Sequence, residues 1–327
     1  MFDTHCHLNF KRYKKNLDEV ISRASEAGVT KIVIPGTDVT SSKKAIEVAD
    51  QHEGLYAAVG IHPHHAAKYL ESSLTTSPLR HNVGDPHVER ALRIPEGGAI
   101  SRSPLKREYP KSSQARRMGA GCSEQILKLI QDDIKIIETL LIHPKVVAVG
   151  EVGMDRHVYE ETKYKDYSVD ERFIEIQRDL LSFQIQLAIQ HKKSLILHNR
   201  EAKSDVLPIL EKNWDVRLVQ HSVFHCCEAD VELLDFAKKH DMFIGVDGDV
   251  TYDKQKQDFI KVVPLEMLVV ETDSPFILPE PLKSQRKYPN EPAHIKYIIE
   301  EVARLKEMSV DEVIKITTEN GEQLFSL

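Results

Sequence analysis

The chain has 327 residues, of which 41% are apolar, and a formal net charge of −7 from 44 Lys and Arg against 51 Asp and Glu. That length accommodates one large α/β domain or two ordinary ones, and the apolar share can fill a sizeable core. No global positive field draws the protein to nucleic acid or anionic membrane, so such binding needs a local patch or bound cations. No apolar stretch approaches a membrane span. The opening shows no basic region followed by an apolar one, so no secretory leader is expected. Cys6, Cys122, Cys226 and Cys227 form no disulfide framework. A reducing compartment is expected, cytoplasmic or else nuclear.

Phe2 opens a short strand that runs into Asp3-Thr4-His5-Cys6-His7. On an extended backbone residues i and i+2 point the same way, so His5 and His7 present two imidazoles to one ion. A helical pattern through Leu17, Val20, Ile21 and Ala24 precedes a strand at Lys31 to Pro35. A helix from Ser42 to Gln51 precedes a strand at Leu55 to Val59. After a helix through Ile126, Ile130, Ile134, Ile137 and Leu140, strands follow at Val146 to Gly150, Ser194 to Leu197, Arg217 to Val219, Met242 to Val246 and Met267 to Val270. Helices are expected between them, at Phe173 to Gln190, Val206 to Lys212, Ala229 to Lys239 and Asp253 to Val262. Continuous rather than alternating apolar strands indicate a parallel sheet covered on both faces. Eight strand-then-helix repeats predict an α/β fold of the (β/α)8 TIM-barrel class spanning residues 1–327 as a single domain. An open doubly wound sheet is the alternative. Two closing helices are expected at Pro292 to Lys306 and Ser309 to Phe325, the second opened by a Ser309/Glu312 capping box.

Residues 71–123 break this rhythm. The segment lacks apolar periodicity and is rich in Ser, Pro, Gly and Arg, so it is expected to be a polar, flexible insertion after strand 3. Arg102, Lys106, Arg107, Lys111, Arg116 and Arg117 make it locally basic; solvation alone accounts for such a run, and a phosphate-touching arm is the functional alternative.

Polar residues collect at the strand ends. His5 and His7 follow strand 1, His62 and His64 strand 3, Glu151 strand 4, His198 strand 5, His221 strand 6 and Asp273 strand 8. Taken singly, His198 or His221 reads as a hydrogen-bonded core histidine, Glu151 as a helix cap and Asp273 as the cap of a turn. Taken together, the four imidazoles of His5, His7, His198 and His221 and the two carboxylates exceed what one tetrahedral ion needs. They suit two divalent ions bridged by a carboxylate, with Glu151 and Asp273 supplying the anionic ligands.

These motifs resemble those of the TatD-type metal-dependent deoxyribonucleases of the amidohydrolase superfamily. The resemblance rests on Asp3-Thr4-His5-Cys6-His7-Leu8, Gly60-Ile61-His62-Pro63, Gly150-Glu151-Val152-Gly153-Met154-Asp155 and Leu197-His198-Asn199-Arg200-Glu201-Ala202. It extends to His221, Glu271-Thr272-Asp273-Ser274-Pro275, Asn290-Glu291-Pro292-Ala293 and Thr317-Thr318-Glu319-Asn320. It implies that His5, His7 and Asp273 hold one metal and His198 and His221 the second, with Glu151 bridging. Glu151 and Asp273 would be catalytic, Asp273 as general acid or base, and His62, His64 and Arg200 would contact substrate. The implied substrate is DNA, cut from a 3′ end, with neither membrane nor obligate protein partner. Zinc is expected in the resting site, with Mg or Mn as alternatives for activity. Ser222-Val223-Phe224-His225 departs from the Cys-Phe-Ser-Gly that often follows the family's strand-6 histidine. Pro289 and Arg156 depart elsewhere. Hydrolysis of a carbonyl centre, such as an aminoacyl ester or a lactone, and a metal-binding barrel without turnover are the alternative functions.

Overall fold

Val, Ile and Ala dominate the short apolar runs, and side chains branched at Cβ suit a pleated sheet covered on both faces. The computed structural model describes residues 1–74, 124–165 and 167–327. In it these runs form one parallel sheet in sequential order. The strands are β1 (Phe2–Asp3), β2 (Lys31–Pro35), β3 (Leu55–Val59), β4 (Val146–Asp155), β5 (Ser194–Arg200), β6 (Ser222–Phe224), β7 (Phe243–Val246) and β8 (Leu268–Val270). The sheet comes round on itself. Thr4 N–H donates to Val270 O at 3.1 Å, and Cys6 forms an isolated parallel bridge with Ser274. The result is a nearly closed TIM barrel. The helices described are α1 (Leu17–Glu26), α2 (Val39–Gln51), α3 (Ala66–Leu74), α4 (Glu124–Leu140), α5 (Glu171–His191), α6 (Lys203–Asn213), α7 (Val231–His240), α8 (Lys254–Val262), α9 (Ile295–Lys306) and α10 (Val310–Phe325).

Strand alternation sorts the apolar side chains into two layers. Phe2, Val33, Ala58, Val147, Ile196, Val223, Phe243 and Val269, one from each strand, fill the barrel interior. Ile32 and Ile34, on either side of Val33, pack into the outer layer with helix residues such as Val20, Ala45 and Ile137. Leu324 and Phe325, at the end of α10, join the interior cluster, and the Phe325 ring lies 5.8 Å from that of Phe2. They plug the end of the barrel at which the strands begin. The opposite end is left for the loops that follow the strands.

Two expectations need correction. The sixth strand is not Arg217 to Val219, because Val216–Leu218 is a 3-10 turn. Gln220 then takes φ +55°, a left-handed conformation that no strand contains. His221 N–H donates to Leu218 O at 3.0 Å. Only after this reversal does Ser222–Phe224 pair with Leu195–Leu197. Second, the insertion does not begin at 71, since α3 runs through Leu74, and Glu71 accepts a hydrogen bond from Lys165 N–H at 2.8 Å. The rest of the expected insertion, with its basic residues, lies outside the described residues. The capping box of α10 is present: Ser309 Oγ accepts from Glu312 N–H, and Glu312 Oε2 accepts from Ser309 N–H.

Candidate active site

Past the ends of the strands, the period-2 rule continues to place ligand-type side chains on one face. His5 and His7 point the same way, with their Nε2 atoms 3.3 Å apart. Glu151 Oε2 lies 3.6 Å from His5 Nε2 and 3.7 Å from His7 Nε2. Asp273 Oδ1 lies 3.7 and 3.4 Å from the same two nitrogens. Asp273 reaches this position from a left-handed backbone at φ +48°, which Asp tolerates better than most residues. Its Oδ1 is buried and lacks a hydrogen-bond partner.

The second oxygen of the Glu151 carboxylate faces a different set. Glu151 Oε1 is 2.8 Å from His198 Nδ1 and 3.6 Å from His225 Nε2. A further carboxylate holds the far nitrogen of each imidazole. His198 Nε2 is 3.1 Å from Asp155 Oδ2, and His225 Nδ1 is 3.1 Å from Glu271 Oε1. Such pairs fix the tautomer and aim the other nitrogen. Glu271 is itself fixed by Thr4 Oγ1 at 3.3 Å and by the backbone N–H of Cys226. Asp3 ties the ends of β1 and β8 together by accepting from Thr272 N–H at 3.0 Å, Thr272 Oγ1 at 2.6 Å and His5 N–H at 3.3 Å.

This arrangement fits cations. Four ligand atoms at about 2.0–2.2 Å from a tetrahedral centre are separated by about 3.3–3.6 Å. Five of the six separations among His5, His7, Glu151 and Asp273 run from 3.3 to 3.7 Å. His5, His7 and Glu151 form one possible ligand group, and Glu151, His198 and His225 another. Glu151, Asp155, Glu271 and Asp273 are all buried at this one place, and their mutual repulsion calls for positive charge. The imidazoles respond to that field. Burial pulls His198 down, but Asp155 and Glu151 override it and lift the group to about 9. Burial likewise opposes His225, which Glu271, Glu151 and Asp273 raise to about 10. His5 goes the other way, because burial and the neighbouring His225 keep it neutral, as a ligand must be. Burial opposes ionisation of Glu151, yet His62, His198 and His5 hold its carboxyl well below the usual range.

The expected substrate contacts are divided. His62 Nδ1 accepts from His64 N–H at 3.1 Å, which leaves the ring proton on Nε2, 3.3 Å from Glu151 Oε1. Burial keeps this ring neutral. His62 is therefore a hydrogen-bond donor at the centre of the site. Arg200 is exposed at the end of β5, its guanidinium 5.2 Å above the Tyr159 ring, and the Tyr159 hydroxyl donates to Asp155 at 2.7 Å. His64 turns away from the cluster: its Nε2 meets Thr162 Oγ1 at 2.8 Å, and its ring packs among Tyr159, Tyr164 and Tyr167.

The structure gathers His5, His7, Glu151, His198 and Asp273, but it does not bring His221 to them. His221 precedes β6, at the plugged end of the barrel, where its Nδ1 lies 3.1 Å from Leu324 O. The histidine at the mouth is His225, directly after β6. Asp155, Glu271 and Asp3 were also overlooked, although the spacing that singles out His5 and His7 reaches them: 3, 5, 7; 151, 153, 155; 271, 273.

The chain matches the family model described as TatD related DNase over residues 2–326. The chain belongs to that family. Over 329 residues it is 29% identical to "Uncharacterized metal-dependent hydrolase YabD" of Bacillus subtilis, covering 100% of this chain and 99% of that one. It is 27% identical over 337 residues to "3'-5' ssDNA/RNA exonuclease TatD" of Erwinia amylovora, covering 100% of both. The fold matches the crystal structure of the TatD homologue YjjV of Escherichia coli with a TM-score of 0.71 at 23% identity, covering 100% of this chain and 98% of that one. The protein is thus a metal-dependent hydrolase of the TatD type.

One glycine of β7 makes the His225 arrangement possible. A Cβ at Gly245 would lie 2.3 Å from Glu271 Oε1 and 2.8 Å from its carboxyl carbon. Any side chain there must displace the carboxylate that orients His225. Gly245→Ala is expected to lower kcat/KM and the affinity for divalent metal by about 10–100-fold, as loss of a ligand's outer partner does. Metal titration alongside steady-state kinetics checks this, and unaltered metal binding would refute it.

Proposed function

We propose that the protein is a two-metal nuclease that hydrolyses DNA phosphodiester bonds from a 3′ end. What carries this reading is the division of one carboxylate between two ligand groups, with Glu151 Oε2 facing His5, His7 and Asp273 and Oε1 facing His198 and His225. The first group would hold one ion and the second another, with Glu151 shared. When bound, such a pair supplies a nucleophile at neutral pH and charge stabilisation for both oxygens of an in-line displacement at phosphorus. The nitrogen-rich donor set favours zinc at rest, with Mg or Mn serving in turnover.

The chain's own groups do the rest. Asp273 orients the attacking water and takes its proton. His62, neutral and protonated on Nε2, donates to a phosphate oxygen. Arg200 offers a planar fork to the same phosphate, held upright by the Tyr159 ring beneath it. His64, inside its tyrosine nest, supports this side of the mouth and contacts substrate at most by its edge. The nuclease reading agrees with the exonuclease name printed for the Erwinia relative. Cys6, Cys226 and Cys227 are unpaired, which suits a reducing compartment, cytoplasmic or nuclear. Among the described residues no helix is long and apolar enough to cross a membrane.

A 5′-labelled single-stranded oligonucleotide tests the proposal. With Mg, Mn or Zn the purified protein should produce a ladder that shortens from the 3′ end, disappears with chelator and returns on adding metal. Hydrolysis of carboxylic esters or lactones with no shortening of DNA under any of the three ions would overturn it.

A further inference from the structure

The mouth carries a second feature that the ligand groups do not require. Phe276 lies three residues beyond Asp273, with its N–H bonded to Asp273 O at 2.9 Å. Its ring is 49% exposed and stands edge-on to His7 and to Phe10, with centroids 6.1 Å away in each case. The chain thus holds a large apolar ring half in water beside a ligand imidazole. Farther along the same loop, Tyr288 is 56% exposed, and Tyr252, in the loop after β7, is 38% exposed.

Two contacts bring these segments together. Asn290 N–H donates to Pro275 O at 3.2 Å, and Glu280 N–H donates to Thr251 Oγ1 at 2.8 Å. Lys283 Nζ stands 3.2 Å over the Tyr252 ring. Between Pro275 and Asn290 the charged residues are Lys283, Arg286 and Lys287 against Glu280, and Glu280 is engaged by Ser284. In a chain of net charge −7 the stretch between Pro275 and Asn290 is locally positive, while Asp249 and Asp253 lie on its Tyr252 side. Its cations lie beside flat rings: Lys283 stands over Tyr252, and Arg286 and Lys287 directly precede Tyr288. A strand of nucleic acid with unpaired bases matches both elements, because every base offers a π face for stacking and every linkage a negative charge. A duplex keeps its bases stacked inside and can use only the charge.

We propose that Phe276, Tyr288 and Tyr252, with Lys283, Arg286 and Lys287, form the track on which a single-stranded nucleic acid lies as its end enters the site. This rests on the nuclease reading above. Phe276, against His7, would stack the base nearest the scissile linkage. Tyr288 would stack a base farther along the strand, and Tyr252 would hold Lys283, 3.2 Å over its ring, for the backbone phosphates.

The test compares the wild type with Phe276→Leu, Tyr288→Ala and the double variant. Leucine keeps an apolar contact with His7 but loses the flat face, and Tyr288 is exposed enough to remove without disturbing the barrel. The substrates are a 12-nucleotide deoxythymidine oligomer, the same oligomer with abasic sites, and bis-p-nitrophenyl phosphate, which has no base. Loss of stacking should raise KM for the oligomer about tenfold in the double variant, with kcat within about twofold. The ratio of its kcat/KM on the oligomer to that on the small diester should fall by the same factor. Phe276→Trp should restore it, and wild type should treat the abasic oligomer as the double variant treats the normal one. If wild type shortens the oligomer and the variants match it in KM and abasic discrimination, the track is wrong and the nuclease reading stands. If wild type cleaves the small diester but neither binds nor shortens the oligomer, the nuclease reading fails and the track falls with it.

Discussion

His225→Asn should lower kcat/KM about a thousandfold and remove one of two bound ions, whereas His221→Asn should leave activity within about twofold and both ions in place. The two residues lie four apart and both adjoin β6, yet they face opposite ends of the barrel. His225 follows the strand and aims Nε2 at Glu151 Oε1, 3.6 Å away, because Glu271 holds its Nδ1 at 3.1 Å. Asparagine keeps a donor for Glu271, so no buried carboxylate is left unpaired, but it places nothing where Nε2 was. His221 precedes the strand, and among the described residues its ring is hydrogen-bonded to Leu324 O at 3.1 Å. Losing that one bond costs about 1 kcal/mol of stability. Elemental analysis of the two purified variants, with steady-state kinetics, checks the contrast. An inactive His221→Asn beside an active His225→Asn would reverse the assignment.

That reversal shows where the sequence is legible and where it is not. Seven of the eight strands could be placed because short apolar runs alternate with helical patterns, and the ends of β1, β4, β5 and β8 point to His5, His7, Glu151, His198 and Asp273. Around β6 two short apolar runs compete, Leu218-Val219 and Val223-Phe224. What separates them is a left-handed residue at Gln220, and glutamine carries no turn signature. With the strand in its true place, the family's strand-6 position falls on His225. The residue after it is Cys226, which matches the first position of the Cys-Phe-Ser-Gly pattern, while Cys227 and Glu228 depart from the next two. Asp155 and Glu271 were legible by the period-2 rule, since a strand that carries one ligand carries its neighbours at i±2 and i±4 on the same face. The need for glycine at 245 was not legible. It comes from the Glu271 carboxylate packed against it from the end of the neighbouring strand, a tertiary contact that no local pattern encodes.

Glu151→Gln should weaken loading of both proposed ions and lower kcat/KM by about ten-thousandfold, a larger loss than any single imidazole gives. The reason is the carboxylate's double position. Replacing one oxygen by an amide puts a donor against either the His5–His7 pair or the His198–His225 pair, and it removes the anion that both share. The same variant has a signature in the metal-free protein that does not depend on turnover. His198 is lifted to about 9, against burial, by Asp155 and Glu151. A histidine whose folded value exceeds its unfolded one adds stability that is fully present below about pH 6.5 and is lost as pH rises through 9. Metal-free wild type should therefore melt at lower temperature as pH goes from 6.5 to 9.5. In Glu151→Gln that slope should shrink, because one of the two anions raising His198 is gone. Adding divalent ions to wild type should offset the decline by putting cations where protons are lost. Thermal melts across that range, with and without chelator, together with an NMR titration of the His198 ring, would show both effects. Equal slopes in wild type and variant would mean that Glu151 does not act on His198 as its 2.8 Å contact requires.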